Sequence, residues 1–220
     1  MKIFFRNNGL SVVLFSLFLI FLAGQSYTGW HEHNDDNEEH GQPQIGFGAY
    51  LRSSHFVEAT MENWESEFLQ MAAYVVFTAF LFQKGSSESK KPGEKAAVDA
   101  DPRESRNKPG VPWPVQRGGW VLKVYENSLS ITFLLLFLFA FSLHAAGGFR
   151  HFNEEQSEHG KPPVPFREYI HGSRFWFESF QNWQSEFLAI GSMVVLSIFL
   201  RQRSSPESKP VAAPHSETED

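Results

Sequence analysis

The chain repeats itself at a constant interval. His40-Gly41 returns as His159-Gly160, Asn63-Trp64 as Asn182-Trp183, and Ser66-Glu67-Phe68-Leu69 as Ser185-Glu186-Phe187-Leu188, each time 119 positions on and without a gap. Each copy holds an apolar run, a polar and aromatic stretch, and a second apolar run. A paired pattern of this kind predicts an all-α membrane protein with four transmembrane helices, a tandem duplication of a two-helix hairpin.

A mean hydropathy of −0.29 with 20% charged residues would by itself suit a soluble domain. The average conceals segregation: apolar residues are pooled in Leu10 to Gly24, Phe68 to Phe82, Leu129 to Ala146 and Phe187 to Leu200, and charge lies between them. Many of the 23 Phe residues fall in these blocks, as suits helices surrounded by lipid. The second and fourth blocks are shorter than the roughly 20 residues a bilayer requires, so they must extend through Asn63-Trp64 and Asn182-Trp183. The expected organisation is a first hairpin over 1–83 with spans at about 9–30 and 64–83, then a disordered linker over 84–118. A second hairpin follows over 119–203 with spans at about 128–148 and 183–202, and a disordered tail occupies 204–220. Residues 1–24 also resemble a signal peptide, but their counterpart Leu129 to Ala146 lies mid-chain and cannot be a cleaved leader, so the first span is expected to be retained.

Basic residues set the orientation, because Lys and Arg flanking spans stay in the cytoplasm. Lys2 and Arg6 precede the first span, Arg201, Arg203 and Lys209 follow the fourth, and Lys84, Lys90, Lys91, Lys95, Arg103, Arg106, Lys108, Arg117 and Lys123 lie between the second and third. Between the first two spans Arg52 is the one basic residue, among many acids. Both termini are thus expected in the cytoplasm, with the two acidic segments outside. Gly41 with Pro43 and Gly160 with Pro162 predict that spans one and three run on as outward-projecting helices to His40 and His159. After turns carrying Phe47 and Tyr50, or Phe166 and Tyr169, the next helices are expected to start near Ser54 and Ser173. Ala72-Ala73 and the equivalent Gly191-Ser192 predict close helix approach in spans two and four, and Trp120 to Tyr125 an interfacial anchor.

Two constellations carry possible chemistry. Asp36 with His40, and Glu155 with His159, are i and i+4 pairs on helix faces, and together they form a possible ligand set for a divalent transition metal. The plainer reading is a hydrated helix end; His31 and His33 are matched by Arg150 and Phe152 in the second copy, and no established metal-site spacing occurs. Glu67 and Glu186 stand at the membrane boundary, where with His144 they form a possible ion or proton site; carboxylates reaching up to headgroup water account for them equally. With no cysteine, thiol chemistry and disulfides are excluded. A net charge of −6 argues against nucleic-acid binding, and no cofactor is implied.

The motifs Asn-Trp-Glu-Ser-Glu-Phe-Leu-Gln at 63–70 and Phe-Gln-Asn-Trp-Gln-Ser-Glu-Phe-Leu at 180–188, with Glu-His-Gly at 39–41 and 158–160, resemble a family of bacterial integral membrane proteins known only as a domain of unknown function. The resemblance implies a multi-pass protein of the bacterial inner membrane and brings no activity, ligand or catalytic residue. The leading functional expectation is a non-enzymatic interaction or structural protein that engages lipid, another membrane protein or a second copy of itself. A small ion- or proton-coupled transporter or channel component is the alternative, and a metal-dependent membrane enzyme stands third. A tag fused to the carboxyl end is expected to survive protease added to intact spheroplasts, and intact-mass measurement of the purified protein is expected to find the first span still attached.

Overall fold

The computed structural model describes residues 2–93 and 96–218; Met1, Glu94, Lys95, Glu219 and Asp220 of the segments discussed above lie outside them. Among the described residues there are eight α-helices, two short 3-10 turns and no strand. In chain order these are α1 (Lys2–Glu39), α2 (Phe47–Tyr50), α3 (Ser54–Phe80), α4 (Trp113–Arg117), α5 (Gly119–Glu126), α6 (Ser128–Glu158), α7 (Phe166–His171) and α8 (Ser173–Phe199). The all-α expectation is met. Among the described residues two helices, α1 and α6, are by length and composition apolar enough to cross a membrane, where four spans are expected. The difference lies at the start of α3 and α8. Their early turns carry Glu58, Glu62, Glu65 and Glu67, or Glu178 and Glu186, which leaves shorter apolar runs from Phe68 and Phe187.

Local signals explain where the long helices end. Gly41 adopts φ +70° and Gly160 φ +66°, a left-handed conformation that glycine enters without a Cβ penalty. The backbone then closes on itself: Gln42 N–H donates to the Asn37 carbonyl at 2.7 Å, and Lys161 N–H to that of Gln156 at 2.8 Å. The segments expected as plain turns at Phe47 and Phe166 are instead the short helices α2 and α7.

The chain divides into two compact units, Met1–Glu62 with Phe141–Trp176, and Asn63–Ala140 with Phe177–Asp220. In the first, two chain reversals are pinned by the same pair of hydrogen bonds. The Asn34 amide donates to the Ile45 carbonyl at 3.0 Å and accepts from Ile45 N–H at 2.8 Å; Asn153 does the same with Val164 at 3.2 Å and 2.8 Å. A buried tyrosine follows each reversal, Tyr50 and Tyr169. Both sit against a glycine: a Cβ on Gly29 would run into the Tyr50 hydroxyl, and one on Gly148 into that of Tyr169. Around Tyr169 the core is aromatic, with Phe175 fully buried at a centroid distance of 5.7 Å and Phe152 at 5.6 Å.

In the second unit, Glu65 is fully buried and accepts from the Trp183 indole N–H at 3.0 Å. The Gln70 amide donates to the Glu186 carbonyl at 3.1 Å. Gly191 is not a point of close approach, because a Cβ there meets nothing within 4 Å; it lines an apolar cavity of about 390 Å³ with Phe77, Phe187 and Val194. Residues 84–93 and 204–218 form turns rather than helices. Gly85 N–H donates to the Thr218 hydroxyl at 2.9 Å, and the buried Lys209 ammonium donates to the carbonyls of Pro214, His215 and Glu217.

Substituting Gly148 by alanine forces the Tyr169 hydroxyl and Glu58 Oε1, which is 2.7 Å from the added Cβ, to move. The expected loss is about 1–3 kcal/mol, read as a lower melting temperature in detergent. Adding Tyr169→Phe is expected to recover part of it.

Candidate functional site

The first unit gathers imidazoles and carboxylates at one place. Helix periodicity sets out the groups: Glu32, His33 and Asp36 on the last turns of α1, His55 and Glu58 one turn apart on α3, and His151 and Glu155 at i and i+4 on α6. They surround a cavity of about 190 Å³ lined by His33, His55 and His151 and by the carboxylates of Glu32, Asp36, Glu154, Glu155 and Glu158.

The three imidazoles stand in a row. His33 stacks on His55 with centroids 5.3 Å apart and planes 22° from parallel, and His151 meets His55 edge-on at 5.1 Å. Carboxylates then fix the rings. Glu58 Oε2 accepts a short hydrogen bond from His151 Nδ1, while Nε2 of the same ring lies 3.6 Å from Glu155 Oε1. Glu32 Oε2 is 3.7 Å from His55 Nε2, and the Tyr50 hydroxyl lies 3.3 Å from His55 Nδ1. Arg174 binds Glu155 with both guanidinium nitrogens, and the Ser54 hydroxyl donates to Glu154. Glu58 is 5% exposed, and its second oxygen, Oε1, is buried with no hydrogen-bond partner among the described residues.

Electrostatics favour a neutral base at the centre. Burial, then the neighbouring His151, lowers the His55 pKa from 6.5, against the opposing pull of Glu32. At neutral pH His55 therefore offers lone pairs rather than charge, in a cavity whose carboxylates outnumber the one guanidinium, Arg174, bound at its rim. The arrangement suits a cation.

The sequence-derived residues are placed as follows. His40 and His159 do meet, with ring centroids 6.1 Å apart, each Nδ1 bonded to the carbonyl four residues earlier, Asp36 at 2.9 Å and Glu155 at 2.8 Å. Their carboxylate partners diverge: Asp36 stays 3.4 Å from His40, whereas Glu155 turns to Arg174 and His151. The hydrogen bond to the Asp36 carbonyl, then the Asp36 charge, raises the His40 pKa. Glu67 and Glu186 belong to the second unit, and His144 to the first, where it is fully buried with Nε2 4.0 Å from Glu62 Oε2. His33, His55, Glu58 and His151 were missed by a search for recurring residues. Their counterparts 119 positions away are Phe152, Arg174, Phe177 and Glu32. The i,i+3 pair His55–Glu58 and the i,i+4 pair His151–Glu155 are the local signals that mark them.

The DUF6766 profile matches residues 1–220. The chain belongs to this family, a domain of unknown function. This agrees with the resemblance drawn from the twin motifs. Neither a curated protein nor a solved structure matches the chain.

The lowered His55 pKa carries a sign. The folded protein binds its proton less readily than the unfolded chain, so this contribution is complete above about 6.5 and is lost as pH falls through the folded value. Melting temperatures measured from about pH 7.5 down to about pH 5 are expected to fall more steeply for the wild type than for His55→Gln.

Proposed function

We propose that this DUF6766 protein is a non-enzymatic, multi-pass membrane protein whose outer end binds a divalent transition-metal ion. The observation that carries the reading is the convergence of His33, His55 and His151 with Glu32, Asp36 and Glu155 on one cavity. Imidazole and carboxylate ligands together suit zinc, manganese or iron(II), and a set without thiolates suits a compartment where cysteine would oxidise. Glu58 accepts from His151 Nδ1, as second-shell carboxylates do at metal-bound histidines, with Nε2 of the same ring beside Glu155.

Four spans remain the preferred topology within this reading. At 27 residues, α3 and α8 are each about 40 Å long, enough to cross with polar ends in the headgroups. The matched clasps of Asn34 and Asn153 and the matched glycine–tyrosine contacts support two equivalent hairpins, both opening to the outside under the charge distribution. Lipid surrounds the exposed Leu10, Phe15, Leu19 and Phe21 of α1.

Isothermal titration of detergent-purified protein with zinc(II) and manganese(II) tests the proposal. Saturable binding is expected for at least one metal, weakened about 10- to 100-fold in the His33→Ala/His55→Ala double variant. Heats indistinguishable between wild type and this variant would remove the assignment.

A further inference from the structure

Glu58 faces two ways, and the second direction is not used by the cavity described above. Its Oε2 accepts a hydrogen bond from His151 Nδ1, whereas Oε1 is buried and without a hydrogen-bond partner among the described residues. On the same face of α6 as His151, two turns earlier in the helix, stands His144, fully buried. A Glu58 carboxylate oxygen lies within 4.8 Å of a His144 ring nitrogen, and Glu62, one turn further along α3, brings Oε2 to 4.0 Å from His144 Nε2. The backbone is built for this approach: a Cβ on Gly147 would lie 2.9 Å from Glu58 N, and one on Gly148 2.7 Å from Glu58 Oε1. Two carboxylates, one of them the buried Glu58, beside a buried imidazole form a place that a cation stabilises.

We propose that Glu58, Glu62 and His144 form a second, inner position for a divalent transition-metal ion, so that the protein holds two ions per chain. The inference rests on the metal-binding reading of the outer cavity and extends it. Glu58 couples the positions: one oxygen orients His151 for the outer ion, and the other ligates the inner ion. Each ion is bound by displacement of protons or water, with no redox step. Carboxylate–imidazole–carboxylate is a ligand set that accepts zinc(II), manganese(II) or iron(II) and leaves positions for water.

The repeat supplies substitutions that the helices already accommodate. The residues 119 positions from His144 and Glu62 are Gln25 and Gln181, so His144→Gln and Glu62→Gln place the other copy's side chain on this one. The test is zinc content by mass spectrometry of full-length protein in nanodiscs, loaded with zinc(II) and dialysed, with helix content checked by circular dichroism. Wild type is expected to retain two zinc ions per chain. His144→Gln and Glu62→Gln are each expected to retain one, and His33→Ala/His55→Ala to retain one. Glu58→Gln is expected to lose the inner ion and to weaken the outer. A wild type with one zinc, unchanged by His144→Gln and Glu62→Gln at normal helix content, overturns the inner position while leaving the outer one standing. A wild type with none overturns both.

Discussion

The first unit depends on two missing side chains. At Gly147 and Gly148 the first turns of α3 come so near to α6 that a methyl group would meet Glu58 N, the Val57 side chain, the Ser54 carbonyl and the Tyr169 hydroxyl. Glycine in mid-helix costs roughly 1 kcal/mol against alanine, and here that cost is offset by what the proximity permits. It allows Glu58, a residue otherwise expected in water, to be buried with an imidazole as its partner. Every acid–histidine contact between α3 and α6 in this unit follows from the same helix spacing.

Matching contacts recur at an interval of 119 residues, but the chemistry does not. Asn34 and Asn153, Tyr50 and Tyr169, and Gly29 and Gly148, each pair 119 positions apart, make matching contacts. The cavity residues come instead from non-equivalent positions: His33 opposite Phe152, His55 opposite Arg174, His144 opposite Gln25. Phe152 and Arg174 are still neighbours, with the guanidinium 5.6 Å from the ring centroid. His33 and His55 thus present bases where their counterparts present an aromatic face and a cation that holds Glu155, while His144 and His151 come from the second half of the chain.

Features written locally were readable in advance. The helix ends at Gly41 and Gly160, the starts at Ser54 and Ser173, and the all-α class all rest on residues a few positions apart. What required the folded chain is contact between distant segments. His33, His55 and His151 meet across separations of 22 and 96 residues, and recurrence as a filter discarded them because their counterparts differ. The pairing of His40 with His159 was legible for the opposite reason, since both lie on the repeat. Small residues misled at Gly191, where composition marked a close contact and the fold has a cavity, because a glycine permits approach without requiring it. Acids at the start of α3 and α8 explain why two helices, not four, pass on apolarity alone.

The asparagine clasps bear on how freely the tips can change. An amide that both donates to and accepts from one distant residue satisfies that residue's peptide groups much as a neighbouring strand would, yet recognises nothing of its side chain. Ile45 and Val164 already differ while the bonds they make are the same. Selection at the two tips should therefore fall on Asn34 and Asn153, leaving the side chains of the residues they grip to drift.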